Sequence, residues 1–182
     1  MEHKGSVRIE TERLILRRIT MDDVEAAFRN WESDDRVTEF LRWPTARGIA
    51  QVEQVTREWV NGYADPAFYQ WVIVPKDLNE PIGTISVVDM DERTDKVHIG
   101  YCIGRAWWRQ GVMTEALQAV MAYLFDVVGY NRLESRHDPR NPNSGAVMRK
   151  CGMKYEGTYR QSDWNNQGVC DACWYALLKS ER

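Results

Sequence analysis

The sequence predicts an α+β domain in which helices cover a mixed, mostly antiparallel sheet with one parallel strand pair. Two segments with apolar residues at helical spacing come first. Three β-branched or aromatic segments separated by short turns follow, as in an antiparallel meander. A long apolar helix then leads to another strand, and such a crossover connection is what parallel pairing requires. The predicted element order is βααβββαβαββ.

The composition indicates one globular domain over residues 1–182. There are 24 Lys and Arg residues against 27 Asp and Glu, a formal charge of −3, and 43% of the residues are hydrophobic. A chain of this size buries roughly 70% of its unfolded surface, so its core needs neither disulfides nor metals. The near-neutral charge argues against a nucleic-acid partner, and no apolar run approaches the roughly 20 residues of a membrane span. We expect a soluble cytoplasmic protein with no signal peptide and no membrane contact.

The first third of the chain predicts one strand and two helices. Residues 14–17 form the strand, and the Thr-x-x-Asp signal at residues 20–23 begins the first helix. The second helix follows Trp43-Pro44 and ends near Asp65-Pro66. Apolar residues recur every three or four positions in both helices, at Val24, Ala27, Phe28 and Trp31 and then at Ile49, Val52, Trp59, Val60 and Tyr63.

The apolar pattern then changes to that of strands. The three predicted meander strands are residues 68–74, 82–88 and 97–103. The apolar stripe of residues 112–128, which Gly129 ends, predicts the long helix. The remaining elements are a strand, a short helix and two strands, at residues 131–137, 144–151, 153–160 and 170–178.

The turn into the long helix is the first place where chemistry is indicated. A strand ends near Ile103, and Gly111 precedes the helix. The first helical turn has main-chain N–H groups without internal partners and the positive end of the helix dipole, which together suit a phosphate or diphosphate. Gly111 would allow the ligand to approach the main chain closely. Neither the Gly-Lys-Ser/Thr of a P-loop nor a three-glycine dinucleotide fingerprint is present.

Motifs along nearly the whole chain resemble those of the GCN5-related N-acetyltransferases (GNAT), and within them the RimJ- and RimL-like ribosomal-protein N-terminal acetyltransferases. They are Thr-Glu-Arg-Leu-Ile-Leu-Arg at 11–17, Trp43-Pro44, Ile82-Gly83, Ile-Gly-Tyr at 99–101, Gly-Val-Met-Thr-Glu-Ala at 111–116, Asp-Pro-Arg-Asn-Pro-Asn-Ser at 138–144, Gly152-Met153 and Tyr-Glu-Gly at 155–157.

This resemblance implies the GNAT fold, with helices on both faces and a parallel strand pair that splays apart. It also implies acetyl-CoA as co-substrate and no metal. The family's loop pattern, Gln/Arg-x-x-Gly-x-Gly/Ala, falls on residues 108–113, where Trp108 and Met113 depart from it. The implied coenzyme-binding residues are Cys102, Ile103, Arg109, Gln110, Gly111, Val112, Met113, Thr114, Asn141 and Ser144.

Some of these residues have an ordinary structural alternative. Arg109 could be a solvated loop charge. Asn141 and Ser144 stand where a helix begins, and both residue types are common there as caps or first-turn residues.

The resemblance also suggests catalytic residues. His98 stands where many relatives carry a glutamate base, and an imidazole titrating near 6.5 suits this proton transfer; the alternative is a passive wall of the cleft. Asp163 is a second candidate base, or else a solvated charge. Because Met148 occupies the position of the family's general-acid tyrosine, Ser144 is the predicted partner of the departing thiolate, and Tyr175 is a more distant candidate.

The predicted reaction is direct attack of an amine on the thioester, without an acetyl-enzyme. The acceptor expected from the resemblance is a protein N-terminal α-amine, and the alternative is a small amine such as a polyamine or an antibiotic. By resemblance, Glu39, Trp43 and Trp164 line the acceptor side, although plain packing would equally account for the tryptophans.

Two other functions are consistent with the sequence. One is an acyl-CoA-binding module without turnover, since the family's glutamate and tyrosine are both replaced. The other is a metal or redox protein built on Cys170 and Cys173, although a structural zinc site usually takes four ligands and only this one C-x-x-C pair is present. A free sheet edge would also allow a homodimer.

Overall fold

An eight-stranded sheet organises residues 2–182, which the computed structural model describes. The strands are β1 (Ile9–Glu10), β2 (Leu14–Arg17), β3 (Gln70–Pro75), β4 (Gly83–Asp91), β5 (Lys96–Ile103), β6 (Arg132–His137), β7 (Lys154–Asn165) and β8 (Gly168–Leu178). Their order in the sheet is β1-β2-β3-β4-β5-β6-β8-β7. The helices are α1 (Val24–Ala27), α2 (Asp35–Thr38), α3 (Ile49–Gly62), α4 (Val112–Tyr123) and α5 (Pro142–Lys150).

The single parallel pair is β5 with β6, as the crossover through α4 predicted. Pairing covers only the stretch from Lys96 opposite Arg132 to His98 opposite Glu134. Beyond it the Ser135 hydroxyl donates to the Ile99 carbonyl at 2.7 Å, and the two strands separate. The sheet is therefore open between the carboxyl ends of two neighbouring strands.

Side chains alternate between two apolar layers, one on each face of the sheet. In β3, Trp71 and Ile73 join the layer that contains α4, while Val72 and Val74 join the layer that contains α1 and α3. A period of two in the strand and a continuous apolar stripe on the helix produce this arrangement. Helices thus lie on both faces, as expected.

The long helix has the predicted extent with one change. α4 ends at Tyr123, and Leu124–Val128 continues it as a π-helical turn. Gly129, with φ +98°, then ends the segment in the left-handed conformation. In residues 2–182 no helix combines the length and the apolarity needed to cross a bilayer.

The element order differs from the prediction near the N-terminus and is ββαααβββαβαββ. The two residues of β1 pair with β2 over too short a stretch to show a periodic pattern. The first helix is divided into a 3-10 turn at Met21–Asp23, α1 and a π-helical turn at Phe28–Glu32.

The additional short helix α2 has a local cause. The Asp34 carboxylate accepts a hydrogen bond from the Arg36 N–H at 2.9 Å, and this cap begins a separate turn. The second predicted helix, α3, ends at Gly62 rather than near Asp65-Pro66.

Candidate active site

The connection from β5 to α4 has two residues in the left-handed conformation. Arg109 has φ +61° and Gly111 has φ +75°. α4 begins directly after Gly111, whose carbonyl accepts the Glu115 N–H at 3.1 Å. The N–H groups of Val112, Met113 and Thr114 precede that bond and so have no acceptor within the helix. The turn therefore presents three main-chain N–H groups at the positive end of α4, and its binding of an anion stays a prediction.

The Thr-Glu-Arg motif near the N-terminus braces this turn. Glu115 Oε1 accepts from Thr11 Oγ1 at 2.5 Å and from the Arg13 N–H at 2.9 Å. Arg13 Nε donates to Glu115 Oε2 at 2.6 Å, and Arg13 Nη1 donates to the Gln110 carbonyl at 3.0 Å. Burial raises the pKa of Glu115, but the hydrogen bonds from Thr11 and Arg13 outweigh this effect and lower the pKa overall. The brace therefore offsets an acidic charge beside the free N–H groups.

The main chain of β5 leaves one residue unpaired at the splay. The Gly104 N–H donates to the Ile82 carbonyl, so by alternation Cys102 is directed toward β4, and Ile99, Tyr101 and Ile103 toward the open side. The Ile99 carbonyl is bonded by Ser135, and the Ile103 carbonyl accepts from Trp108 Nε1 at 2.9 Å. Tyr101 is therefore the residue on this side whose N–H and C=O both remain available.

Two cavities meet beside this strand. The larger cavity, of about 520 Å³, is lined by Cys102, Ile103, Trp108 and Met113 among others. The smaller cavity, of about 210 Å³, is lined by His98, Trp43 and Asp163 among others. Both cavities are also lined by Phe40, Leu41, Tyr101, Asn141 and Ser144. A substrate in each cavity would meet the other at this shared wall.

Hydroxyl and amide groups occupy the shared wall. The Tyr101 hydroxyl donates to the Ser144 carbonyl at 2.9 Å, and Ser144 Oγ donates to the Tyr101 hydroxyl at 3.2 Å. Asn141 is the N-cap residue of α5, but its side chain makes no cap hydrogen bond. The Asn141 side chain therefore does not cap the helix, and it lines both cavities.

His98 is buried and neutral. Its side chain is in the smaller cavity, the residue is 6% exposed, and its Nδ1 has no partner in residues 2–182. Burial, reinforced by the Arg136 charge, lowers the pKa of His98 to about 3 against the opposing effect of Asp163. The Trp174 ring packs nearly perpendicular to the imidazole at 5.4 Å. At physiological pH the neutral imidazole can accept a hydrogen bond, but it does not carry the additional proton of an imidazolium.

Asp163 anchors two arginines. Its carboxylate pairs with Arg42, and Arg136 Nε donates to it at 2.6 Å. Burial raises the pKa of Asp163, but the hydrogen bonds from Arg136 and Arg42 outweigh it, and the pKa is lowered. Asp163 is therefore ionised and engaged by both guanidiniums, and its role as a base stays a prediction.

The residues expected on the acceptor side are separated. Trp43 lines the smaller cavity, whereas Glu39 lines the larger one. Trp164 is exposed, and the Arg42 guanidinium lies 5.3 Å from the centre of its ring.

The coenzyme-binding residues predicted in the turn before α4 do not all line the same surface. Gly111 and Thr114 line an open surface depression together with Arg13 and Lys150. Gln110 donates through Nε2 to the Ala106 carbonyl at 2.8 Å. Arg109, Gln110 and Val112 are not among the residues that line the cavities described above.

Several functional candidates escaped the sequence analysis. Tyr101, Arg13, Lys150, Arg42 and Arg136 all lie at the cavities or the depression. Tyr101 and Arg13 belong to motifs used for the family resemblance, which was the available signal.

Met148 occupies the position of the family's general-acid tyrosine, and Tyr175 is the more distant candidate for that role. Met148 is fully buried. The Tyr175 hydroxyl accepts from Arg149 Nη1 at 2.9 Å, and Tyr175 lines neither cavity.

The cysteines are free thiols. Burial raises the pKa of Cys102 and of Cys151 to about 12 and the pKa of Cys170 to about 11. Cys170 Sγ accepts from Asn165 Nδ2 at 3.5 Å, whereas Cys173 Sγ lies 3.2 Å from the Thr158 hydroxyl. In the described part of the chain, no three His, Cys, Asp or Glu side chains are grouped to hold a metal ion.

Comparison with known proteins supplies the context for this geometry. Residues 13–154 match the family model described as an acetyltransferase (GNAT) domain. The chain is 31% identical over 171 residues to the uncharacterized N-acetyltransferase YoaA of Bacillus subtilis (strain 168), covering 94% of this chain and 96% of that protein.

Two further similarities concern ribosomal-protein acetyltransferases. The chain is 27% identical over 141 residues to the ribosomal-protein-serine acetyltransferase of Escherichia coli (strain K12), covering 76% of each. The structure of RimL, a ribosomal L7/L12 alpha-N-protein acetyltransferase in complex with coenzyme A, matches with a TM-score of 0.83 at 21% identity, covering 94% of this chain and 98% of that chain.

Proposed function

The chain belongs to the GNAT family and is an acetyl-CoA-dependent N-acetyltransferase, and from this premise we propose that its acceptor is a protein N-terminal α-amine. The observation that carries acetyl transfer at this site is the shared wall at Tyr101 and Ser144, where the larger cavity would receive the thioester arm and the smaller cavity the amine. The similarity to the E. coli ribosomal-protein-serine acetyltransferase supports the choice of acceptor.

Coenzyme binding would use mainly the main chain. When bound, acetyl-CoA supplies an activated thioester carbonyl. The N–H groups of Val112, Met113 and Thr114 would hold its diphosphate at the positive end of α4. Lys150 lines the depression next to that turn and adds positive charge for a phosphate, while Arg13 offsets the Glu115 carboxylate there.

The pantetheine arm would lie along the open side of β5. The free N–H and C=O of Tyr101 would pair with its amides, much as a peptide adds to a sheet edge. The Asn141 side chain, which has no cap bond, offers an amide on the opposite wall.

The amine would enter the smaller cavity beside His98. An α-amine has a pKa of about 7.7 to 8.0, so roughly a tenth of it is neutral at pH 7 without help from a base. The neutral imidazole of His98 accepts a hydrogen bond from that amine and directs the nitrogen lone pair toward the shared wall. Asp163 contributes by fixing Arg42 and Arg136.

The departing thiolate needs a proton, and Ser144 is the proposed donor. The Tyr101 hydroxyl holds the Ser144 hydroxyl in place. Burial raises the pKa of Tyr101, so that hydroxyl remains protonated. Ser144 would turn its hydroxyl proton from Tyr101 to the thiolate and regain one from the attacking nitrogen, so that the proton the amine loses on forming the amide replaces the proton the thiol gains.

The test is release of free thiol from acetyl-CoA with a panel of amines. We expect turnover with peptides that have a free N-terminus and none with the same peptides blocked at the α-amine. Turnover restricted to polyamines or aminoglycosides would replace the proposed acceptor with a small amine. Coenzyme binding without thiol release for any amine would indicate a non-catalytic acyl-CoA-binding module.

A further inference from the structure

A third cavity, of about 320 Å³, lies outside the two cavities described above. We call it the tryptophan cavity, because Trp31, Trp43 and Trp59 line it together with Glu32 and residues of α3. Trp31 and Glu32 come from the π-helical turn after α1, and Trp43 comes from the loop before α3. Three separate segments therefore converge on one aromatic site.

Glu32 differs from the other buried carboxylates of the described chain. Asp23 is paired with Arg17, Glu134 with Arg132 and Lys96, and Asp138 with Arg140. Glu32 is 7% exposed and forms no ion pair within residues 2–182. A buried carboxylate without a cation is energetically costly.

The partners of Glu32 are neutral. Oε1 accepts the Trp31 indole N–H at 2.7 Å, and Oε2 accepts the Trp43 indole N–H at 2.9 Å. An ionised carboxylate has about four acceptor positions, so about two remain. Burial raises the pKa of Glu32 despite these two hydrogen bonds. A cation in the cavity would stabilise the ionised form.

The lining is suited to a positive ligand. Glu58 supplies a second carboxylate, and none of the residues that line the tryptophan cavity is Lys, Arg or His. Tryptophan rings attract a cation through their negative faces, most strongly when the cation is desolvated. We propose that the tryptophan cavity binds the ammonium group of an organic cation, with Glu32 as its counter-charge.

The proposal does not depend on the identity of the acetyl acceptor. Trp43 lines both the tryptophan cavity and the smaller cavity. The bound ammonium group could therefore belong to a separate small cation or to the second charged end of an acceptor. The two sources share one chemistry and are distinguished below.

The primary test is calorimetric titration of the full chain with choline and with its uncharged isostere 3,3-dimethyl-1-butanol. Neither probe has an amine that can be acetylated. We expect saturable choline binding and at least tenfold weaker binding of the isostere. Equal binding of both would reduce the site to an apolar cavity, and absence of choline binding would overturn the proposal.

Variants assign the binding to this cavity. Glu32→Gln should weaken choline binding at least tenfold, and Trp59→Leu, which keeps apolar volume without the ring, should weaken it severalfold. The matched control is Glu53→Gln, an exposed carboxylate of α3 that does not line the cavity. If Glu32→Gln does not fold, Trp59→Leu carries the test. Wild-type affinity in a folded Glu32→Gln or Trp59→Leu protein would contradict the site.

If the protein transfers acetyl groups, steady-state kinetics distinguish the ammonium group of an acceptor from that of a separate cation. If the ammonium belongs to the acceptor, a diamine should have a lower KM than a monoamine of the same length, and Glu32→Gln should abolish that difference. If it belongs to a separate cation, choline should bind without changing the KM of either amine. Failure of all acetyl transfer would leave the calorimetric test intact.

Discussion

The Tyr101 hydroxyl on β5 and Ser144 on α5 are hydrogen-bonded to each other, at 2.9 Å to the Ser144 carbonyl and at 3.2 Å to its Oγ. This contact joins a strand of the splayed pair to the helix that follows the other strand. It lies on the wall that the two cavities share. The group proposed to protonate the thiolate is thus held by a residue 43 positions away in the chain.

Tyr101→Phe should lower kcat by roughly tenfold or more while leaving the KM for acetyl-CoA nearly unchanged. The ring would remain to line both cavities, but the hydroxyl that orients Ser144 would be lost, and positioned proton transfer typically contributes a factor of about 10² to 10⁴. Steady-state thiol release measures both constants. Tyr155→Phe, which removes an exposed hydroxyl, is the control. An unchanged kcat in Tyr101→Phe would argue against a role for this pair.

Gly111→Ala should weaken coenzyme A binding about tenfold and destabilise the protein by about 1 to 2 kcal/mol. The glycine has φ +75°, which an alanine adopts only with strain. A Cβ there would also approach Arg13 Nη2 at 3.4 Å, next to the free N–H groups of α4. Calorimetry and thermal unfolding provide the two measurements. Gly48→Ala is the control, because its added Cβ would meet no heavy atom within 4 Å apart from its immediate chain neighbours; equal effects at both glycines would refute the explanation.

His98 should make stability depend on pH. Burial lowers the pKa of His98 to about 3, whereas an unfolded histidine titrates near 6.5. Below pH 6.5 the unfolded chain therefore binds a proton that the folded protein does not, and the free energy of unfolding falls as the pH falls from about 6.5 toward 3. His98 should contribute up to about 1.4 kcal/mol per pH unit within this window.

Urea unfolding of the wild type and His98→Gln between about pH 4.5 and 7.5 measures this contribution. The difference between the two proteins should shrink as the pH falls, because the variant lacks the titrating group. His137 stays in both proteins, and burial also lowers its pKa, so its effect cancels in the comparison. Parallel pH profiles for the two proteins would mean that His98 titrates normally in the folded state.

Asp163→Asn should reduce stability by about 2 kcal/mol, because it would leave Arg42 and Arg136 facing each other without their shared carboxylate. If Asp163 positions these arginines, kcat should fall less than tenfold while the KM for the peptide rises. If turnover instead falls by about a hundredfold or more, as expected for removal of a general base, that role returns to Asp163. Asp77→Asn, at an exposed loop position, is the control.

No acetyl-cysteine should form when the protein is incubated with acetyl-CoA in the absence of an amine. Burial raises the pKa of both Cys102 and Cys151 to about 12, so neither supplies a thiolate near neutral pH. Intact-mass and peptide spectrometry would detect the added acetyl group. A stoichiometric acetyl adduct on either cysteine would instead support a covalent intermediate.

The sequence by itself determined the sheet class and the single parallel pair, because the period of the apolar residues and the length of the crossover are local properties of the chain. It also determined the turn before α4, since Gly111 and the apolar stripe after it lie within one continuous segment. The sequence did not predict the short elements β1 and α2, because a segment of two or four residues shows no measurable period.

Only the tertiary structure decided which side chains meet. The brace between Arg13 and Glu115, the pairing of Asp163 with Arg42 and Arg136, and the indole contacts of Glu32 each join segments whose proximity the sheet and helix packing create. It also decided the charge of His98, because a histidine's pKa depends on its burial and on its neighbours' charges, neither of which is a property of position in the sequence. The chain therefore specifies its elements locally, while the chemistry of its site arises from contacts between residues far apart in the sequence.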